Sequence, residues 1–160
     1  MRRRALKVIY YGNSATHTAY AMAAIHIGNY EKGRLPCLED ILRQWELCFI
    51  YGFQKGNLIY MGLDDELREI YVIGCGTHGK MLNRIYNGFN TIYNIEESIH
   101  FIKAHIGEWV PRFLVVLSMQ FPSLKPIIRH LFIIWYKKMY PLWFKIVQRE
   151  KEKLIKGKKL

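Results

Sequence analysis

The chain has 160 residues, of which 51% are hydrophobic, 14% aromatic and 23% charged. This length corresponds to one domain, and the composition is that of a globular protein rather than a disordered one. The formal net charge is +11, but residues 1–7 carry +4 of it and residues 145–160 carry +5, which leaves +2 for residues 8–144. Because the body is nearly neutral, nucleic-acid binding is not its expected main role. We expect one domain over residues 1–150 and a basic tail over 151–160.

Cysteine usage and hydropathy predict a cytoplasmic protein. Cys37, Cys48 and Cys75 are odd in number and widely spaced, which is typical of reduced thiols, and the absence of a CxxC pair makes a structural zinc site unexpected. The most apolar uncharged stretch covers only residues 113–124, whereas a membrane-spanning helix needs about 20 residues. The basic N-terminus is not followed by the apolar segment of a signal peptide. We therefore expect no transmembrane segment and no metal site.

The first elements alternate between strand and helix patterns. Residues 7–11 are β-branched and aromatic and end at Gly12, which predicts a buried strand. A helix rich in alanine is predicted over residues 15–27, and Gly28 closes it. A second helix is predicted over residues 38–47 from its apolar spacing.

The middle of the chain has the pattern of a hairpin. Residues 57–62 and 69–74 are strand-like, and the acidic segment between them is typical of a turn, which favours an antiparallel pair. A short helix over residues 80–86 and a strand over residues 89–95 are predicted next.

The C-terminal part is predicted to be mostly helical. A long helical region is expected from Glu96 through about Leu117, then a strand over residues 126–134, then a final helix with Pro141 near its first turn. The alternation of strands and covering helices predicts an α/β three-layer sandwich, Rossmann-like or P-loop-like, with a mainly parallel sheet and one antiparallel hairpin.

The loop after the first strand is the first candidate site. In open α/β sheets, ligands bind at the carboxyl ends of strands, and a helix N-terminus there attracts phosphate. The positive end of the helix dipole should keep His17 neutral, so that it can act as an acid or base. In the alternative interpretation, Ser14 or Thr16 caps the helix and His17 makes a local hydrogen bond. The expected anion ligands are Gly12, Asn13, Ser14, Thr16 and Thr18.

The loop over residues 74–80 is the second candidate. It matches G-x-x-x-x-G-K, the phosphate-binding loop, in the expected setting between a strand and a helix. Gly76, Gly79 and Lys80 would contact the phosphate, although Met81 stands where Ser or Thr would bind magnesium. A glycine turn with some anion affinity, a purely structural turn and a reactive pair of Cys75 with His78 are the alternatives.

Several motifs resemble an uncharacterised bacterial family, catalogued as domain of unknown function 3189 and found in spore-forming Gram-positive bacteria. The resemblance covers residues 7 to about 150. It implies an α/β fold and singles out His17, but it implies no reaction. The family's loop often has Cys and paired Gly where Gly12 to Ala15 stand here. The similar motifs are Ile9-Tyr10-Tyr11, His17, Ala23-Ala24-Ile25-His26-Ile27-Gly28, Leu35-Pro36, Tyr60-Met61-Gly62, Tyr71-Val72-Ile73-Gly74 and Lys137-Lys138-Met139-Tyr140-Pro141.

These observations favour a small α/β protein that binds a phosphate-bearing molecule or a nucleotide at the carboxyl edge of its sheet. Whether it is an enzyme stays open, and no cofactor is identified. One alternative is a non-catalytic interaction protein, connected with sporulation, that uses Trp135, Trp143 and the basic tail. Another is weak nucleic-acid binding through the two basic termini.

Overall fold

The computed structural model describes residues 6–30, 34–93 and 98–156. Four strands form one sheet, and β1 lies between β3 and β4 while β2 forms an edge. β1 is parallel to β3 and β4, and β2 is antiparallel to β3, so the predicted α/β fold with a mainly parallel sheet and one antiparallel hairpin is confirmed. The strands are β1 (Lys7–Gly12), β2 (Leu58–Leu63), β3 (Glu69–Gly74) and β4 (Ile99–Lys103).

Helices lie on both faces of the sheet. Tyr10 of β1 bonds to His26 of α1, whereas Tyr86 of α3 packs its ring 5.6 Å from the ring of Phe101, which pairs with Ile9. Because Ile9 and Tyr10 point to opposite faces, α1 and α3 cover opposite sides. The helices of the described residues are α1 (Thr18–His26), α2 (Leu38–Tyr51), α3 (Gly79–Tyr93), α4 (Trp109–Gln120) and α5 (Lys125–Lys156).

The main core lies on the α1 side of the sheet. The side chains of Val8, Tyr10, Ile70 and Val72 are fully buried there. The small residues of α1 allow it to lie close to the strands, as its alanine-rich sequence predicts, and Gly28 follows it at φ 78°. Helix α5 packs against α1, α2 and α4 and completes this core.

A chain of buried polar groups joins β1, α1 and the hairpin turn. His26 Nε2 lies 3.1 Å from Asp64 Oδ2, and Tyr10 Oη lies 2.7 Å from His26 Nδ1. Asp64 Oδ1 also accepts the backbone N–H of Glu66 and of Arg68, each at 2.9 Å. Burial lowers the pKa of His26 to about 4. The neutral ring therefore donates from Nε2 to the carboxylate and accepts from Tyr10 at Nδ1.

The predicted strand over residues 89–95 is wrong. Residues 89–93 belong to α3, and residues 94 and 95 lie outside the described part of the chain. β-Branched and aromatic residues favour a strand here, but Leu82 and Tyr86 face inward four residues apart, and that helical spacing determines the structure. The helix predicted over residues 80–86 is correspondingly too short.

The predicted helix from Glu96 to Leu117 is wrong in its first part. Glu96 and Glu97 lie outside the described residues, residues 99–103 form β4, and α4 begins only at Trp109. Pairing of β4 with β1 is a long-range interaction, and it overrides the local pattern of an acidic helix start.

The predicted strand over residues 126–134 is also wrong, because α5 begins at Lys125 and continues to Lys156. Ile128, Phe132 and Tyr136 recur every four residues and are at most 2% exposed, which is the period of a helix. Pro141 lies inside α5 rather than in its first turn.

Two expectations for the C-terminal region change accordingly. Trp143 is 0% exposed and Trp135 is half-buried, so Trp143 is not the exposed aromatic contact of the interaction hypothesis. Residues 151–156 of the predicted tail continue α5, and Leu154 among them is buried. The remaining basic residues of the two termini, Arg2, Arg3, Arg4, Lys158 and Lys159, lie outside the described residues.

Candidate functional site

The two predicted loops meet at the carboxyl edge of the sheet, between β1 and β3. These strands are parallel neighbours, so their carboxyl ends meet at the same edge of the sheet. The backbone N–H of Cys75 donates to Gly12 O at 2.9 Å, and that of Gly76 donates to Asn13 O at 3.2 Å. The fold therefore brings the candidate loops into direct contact at the place where open α/β sheets bind ligands.

The polar side chains of the first loop are turned into the protein. Ser14, Thr16, His17 and Thr18 are at most 2% exposed. Ser14 Oγ lies 3.1 Å from Thr16 Oγ1 and accepts the Thr16 N–H, while the Thr18 hydroxyl donates to Ile106 O. Their hydroxyls thus bond within the protein rather than facing solvent. The predicted cap by Ser14 or Thr16 is wrong, because α1 begins at Thr18 with His17 as its N-cap and without a side-chain cap bond.

Helix α2 covers the loop at His17. The amide of Gln44 donates to the carbonyl oxygens of Thr16 and His17, and Cys48 Sγ donates to Thr16 O. Neither ring nitrogen of His17 has a hydrogen-bond partner among the described residues. Burial, followed by the nearby charge of Arg112, lowers the pKa of His17 to about 4. The ring is therefore neutral at pH 7, with burial as the main cause, and it does not line an open cleft.

The backbone N–H groups of the second loop donate mostly to carbonyl oxygens of the protein itself. Besides the bonds from Cys75 and Gly76 to the first loop, the N–H of His78 donates to Cys75 O. Gly76 has φ 58°, a conformation that favours glycine, and the Lys55 side chain lies against it. Gly79 is buried against the Tyr11 ring. A phosphate at this loop would therefore meet side chains more than a wrapped backbone.

An open, basic hollow follows β3 at the start of α3. It has a volume of about 560 Å³ and is lined by Thr77, His78, Lys80, Met81, Arg84 and Ile85. Lys80 and Arg84 are exposed and one helical turn apart, so their cationic ends reach the same side of α3. Lys80 of the predicted site faces this hollow, whereas His17 is enclosed under α2.

Sequence analysis does not identify Glu108, which lies at the centre of this edge. Its carboxylate is 1% exposed and accepts the N–H of Asn13 at both oxygens, at 3.1 and 2.8 Å. A Cβ on Gly12 would collide with the carboxylate. Burial raises the pKa of Glu108 to about 7. The only sequence signal is Gly107-Glu108 a few residues after a strand, and it is visible only once β4 is recognised.

Titratable groups surround Glu108, but among the described residues no lysine or arginine forms an ion pair with its carboxylate. His105 Nδ1 lies 3.7 Å from Glu108 Oε2, and the more distant charge of Lys103 favours the carboxylate. The Cys75 thiol donates to Gly12 O at 3.3 Å, and burial together with Glu108 raises its pKa. A raised thiol pKa disfavours the thiolate, which does not support the reactive pair of Cys75 with His78. The described residues include no group of three or more His, Cys, Asp or Glu that could hold a metal ion.

The family model described as "Protein of unknown function (DUF3189)" matches residues 7–152. The chain belongs to this family. No curated protein and no solved structure matches it. The match to DUF3189 confirms the resemblance read from the sequence, and it covers the sheet, both candidate loops and Glu108.

The two histidines of the DUF3189 resemblance lie at opposite ends of α1. His17 is at the carboxyl edge of the sheet, while His26 is in the polar chain with Asp64. Across residues 6–30, 34–93 and 98–156, no helix has both the length and the apolar character needed to cross a membrane.

Proposed function

We propose that this member of DUF3189 binds a phosphate-bearing small molecule or nucleotide at the carboxyl edge of its sheet. The observation that carries the proposal is the basic hollow at the carboxyl end of β3, where Lys80, Arg84 and His78 surround about 560 Å³ of open space. Lysine and arginine are the usual side-chain partners of phosphate groups, and ligands of open α/β sheets collect at this edge. Thr77 adds a hydroxyl donor to the same hollow.

The role of each predicted site residue follows from its position. Lys80 contacts the phosphate from α3, and Gly76 and Gly79 allow the tight turn that places it there. Gly12 and Asn13 bring the first loop against this turn. Ser14, Thr16 and Thr18 hold that loop in shape from inside, and His17 acts on a ligand only if α2 moves away from it.

Calorimetric titration with ADP, ATP and pyrophosphate at low ionic strength tests the proposal. We expect the double variant Lys80→Ala/Arg84→Ala to bind at least about tenfold more weakly, because it removes the charge-assisted hydrogen bonds. Lys137→Ala/Lys138→Ala is the matched control, since it removes two positive charges from α5. Absence of binding to the unmodified protein, or equal losses in the two double variants, would overturn the proposal.

The interaction hypothesis is supported by a different observation, the edge strand β2. Residues 57–63 carry no charge, and the side chains of Leu58 and Tyr60 are 52% and 54% exposed. An uncharged apolar edge offers unpaired backbone groups to another strand, and the same strand of a second copy is the complementary partner. We propose this self-pairing as the second candidate function.

Sedimentation equilibrium tests the self-pairing directly. We expect a mass that rises with concentration toward a dimer, and a monomer for Leu58→Lys, because a lysine at the edge opposes pairing. Leu131→Lys on exposed α5 is the control and should leave association unchanged. A concentration-independent monomer would contradict this candidate.

A further inference from the structure

The turn after β1 already holds a carboxyl group, and that group belongs to the protein itself. Both carboxylate oxygens of Glu108 accept the Asn13 N–H, and the neighbouring Ser14 backbone favours the ionised form of this carboxyl group. Gly12 leaves the space that the carboxylate occupies, because a Cβ there would collide with it. Backbone N–H groups that converge on one anion form the kind of cradle that holds phosphates in other α/β proteins.

The negative charge of ionised Glu108 is only weakly compensated by the groups around this cradle. Among the described residues, the nearest basic group is His105, whose Nδ1 lies 3.7 Å from Glu108 Oε2, and no lysine or arginine forms an ion pair with it. The other titratable groups that influence it are Lys103 of β4 and Cys75 of the second loop. A buried carboxylate without a close cation loses hydration that the cradle only partly replaces. A more highly charged anion can therefore compete for the same N–H groups.

The cradle and the basic hollow are adjacent. The Gly76 N–H donates to Asn13 O, so the residue that carries the cradle is bonded to the residue that precedes Thr77 of the hollow. A ligand with two linked phosphate groups is the chemical class that would occupy both places at once. The displaced Glu108 side chain also has a new partner within reach, since exposed Arg112 lies four residues further along α4.

We propose that Glu108 is an internal competitor that occupies the second phosphate subsite, formed by the N–H groups of Asn13 and Ser14, and that a diphosphate-containing ligand displaces it. The inference rests on the proposed function, because the other phosphate binds in the hollow with Lys80 and Arg84. It predicts selectivity for linked phosphates over a single phosphate. It also predicts that removal of the Glu108 charge strengthens diphosphate binding.

Calorimetric titration with pyrophosphate and with inorganic phosphate tests the inference. We expect Glu108→Gln to bind pyrophosphate about tenfold more tightly than the unmodified protein, because the competing state is less populated, and to change phosphate affinity little. Glu150→Gln is the matched control, since it removes the same charge from α5 and should leave both affinities unchanged. Gly12→Ala should weaken pyrophosphate binding, because its Cβ fills the cradle.

Amide NMR spectra provide a readout that does not depend on affinity. Pyrophosphate should shift the Asn13 and Ser14 amide resonances, and the Lys80→Ala/Arg84→Ala variant should lose this shift at the same ligand concentration. If pyrophosphate binding depends on Lys80 and Arg84 but Glu108→Gln binds no more tightly, the inference is wrong and the proposed function stands. If no variant binds pyrophosphate, both are wrong.

Discussion

Two buried carboxylates at opposite ends of the sheet differ in their partners and in their pKa. Asp64, in the hairpin turn, accepts two backbone N–H groups and the His26 ring, and Arg68 lies 3.6 Å away. Burial alone would raise the pKa of Asp64, but these partners together hold it below its usual value. Glu108, at the carboxyl edge, accepts a backbone N–H and has no lysine or arginine in ion-pair contact among the described residues, and burial raises its pKa to about 7.

The difference separates a structural carboxylate from a candidate functional one. Asp64 is fully partnered, so it fixes the turn to α1 and contributes stability when it is ionised. Glu108 is held in a place where ionisation is disfavoured, which is the property expected of a group that responds to a ligand or a proton. Substitutions at each carboxylate and at the buried histidines test this contrast.

Removal of the Asp64 carboxylate should have the largest effect. We expect Asp64→Ala to lower the free energy of unfolding at pH 7 by about 3–5 kcal/mol, because buried Arg68 loses the buried one of its two carboxylate partners and His26 loses its acceptor. Urea denaturation measures the change. Asp65→Ala is the control from the same turn: its side chain is 69% exposed and lies 3.5 Å from Lys151, so its loss should be below about 1 kcal/mol. Equal losses would show that Asp64 is not specially anchored.

Glu108→Gln should have an intermediate effect that depends on pH. The pKa of Glu108 in the folded protein, about 7, lies above its value of about 4.3 in an unfolded chain. The stability that this group contributes is therefore full below pH 4.3 and is lost as the pH rises through 7. We expect the variant to be more stable than the unmodified protein by about 2 kcal/mol at pH 8.5 and to differ little at pH 5.

Urea denaturation at the two pH values measures this difference, with Glu150→Gln as the control. Hydrogen bonds from Lys153 and His100 outweigh burial and lower the pKa of Glu150. Its replacement should therefore give no gain at pH 8.5. A Glu108→Gln variant with the same stability difference at both pH values would remove the distinction between Glu108 and Asp64.

The smallest effect on the free energy of unfolding is expected at His17, one of the two buried histidines of the α1 region. Both have a pKa lowered to about 4 by burial, but both ring nitrogens of His26 are bonded, while those of His17 have no partner in the described structure. We expect His17→Leu to change the free energy of unfolding by less than about 1 kcal/mol and His26→Leu to lower it by about 2 kcal/mol or more. Thermal unfolding at pH 7 compares them. A large loss for His17→Leu would indicate packing that the orphaned nitrogens do not reveal.

Local patterns were sufficient to predict much of the fold. The apolar alternation of β1 and β3, the acidic hairpin turn and the alanine-rich first helix each carry a short-range signal, and the structure contains all of them. The sequence also predicts that both loops lie at the carboxyl edge of the sheet, and they are in contact there, because each loop follows a strand of the parallel pair β1 and β3.

The features that the sequence does not predict depend on interactions between distant parts of the chain. β4 was missed because its pairing with β1 outweighs a local helix pattern, and with it Glu108 was missed, 95 residues from its partner Asn13. The burial of His17 arises from Gln44 and Cys48 of α2, which no pattern around residue 17 indicates.

Helix α5 determines when the core can form. It supplies the buried face that packs on α1, and Lys151 of α5 donates to the carbonyl of His26, 125 residues earlier. The entropy of closing such a long loop is recovered only when these late contacts form. During synthesis, β1 and α1 therefore leave the ribosome well before the segment that covers them. This core folds only after α5 has been synthesised, and until α5 emerges the apolar face of α1 is a surface that a chaperone can bind.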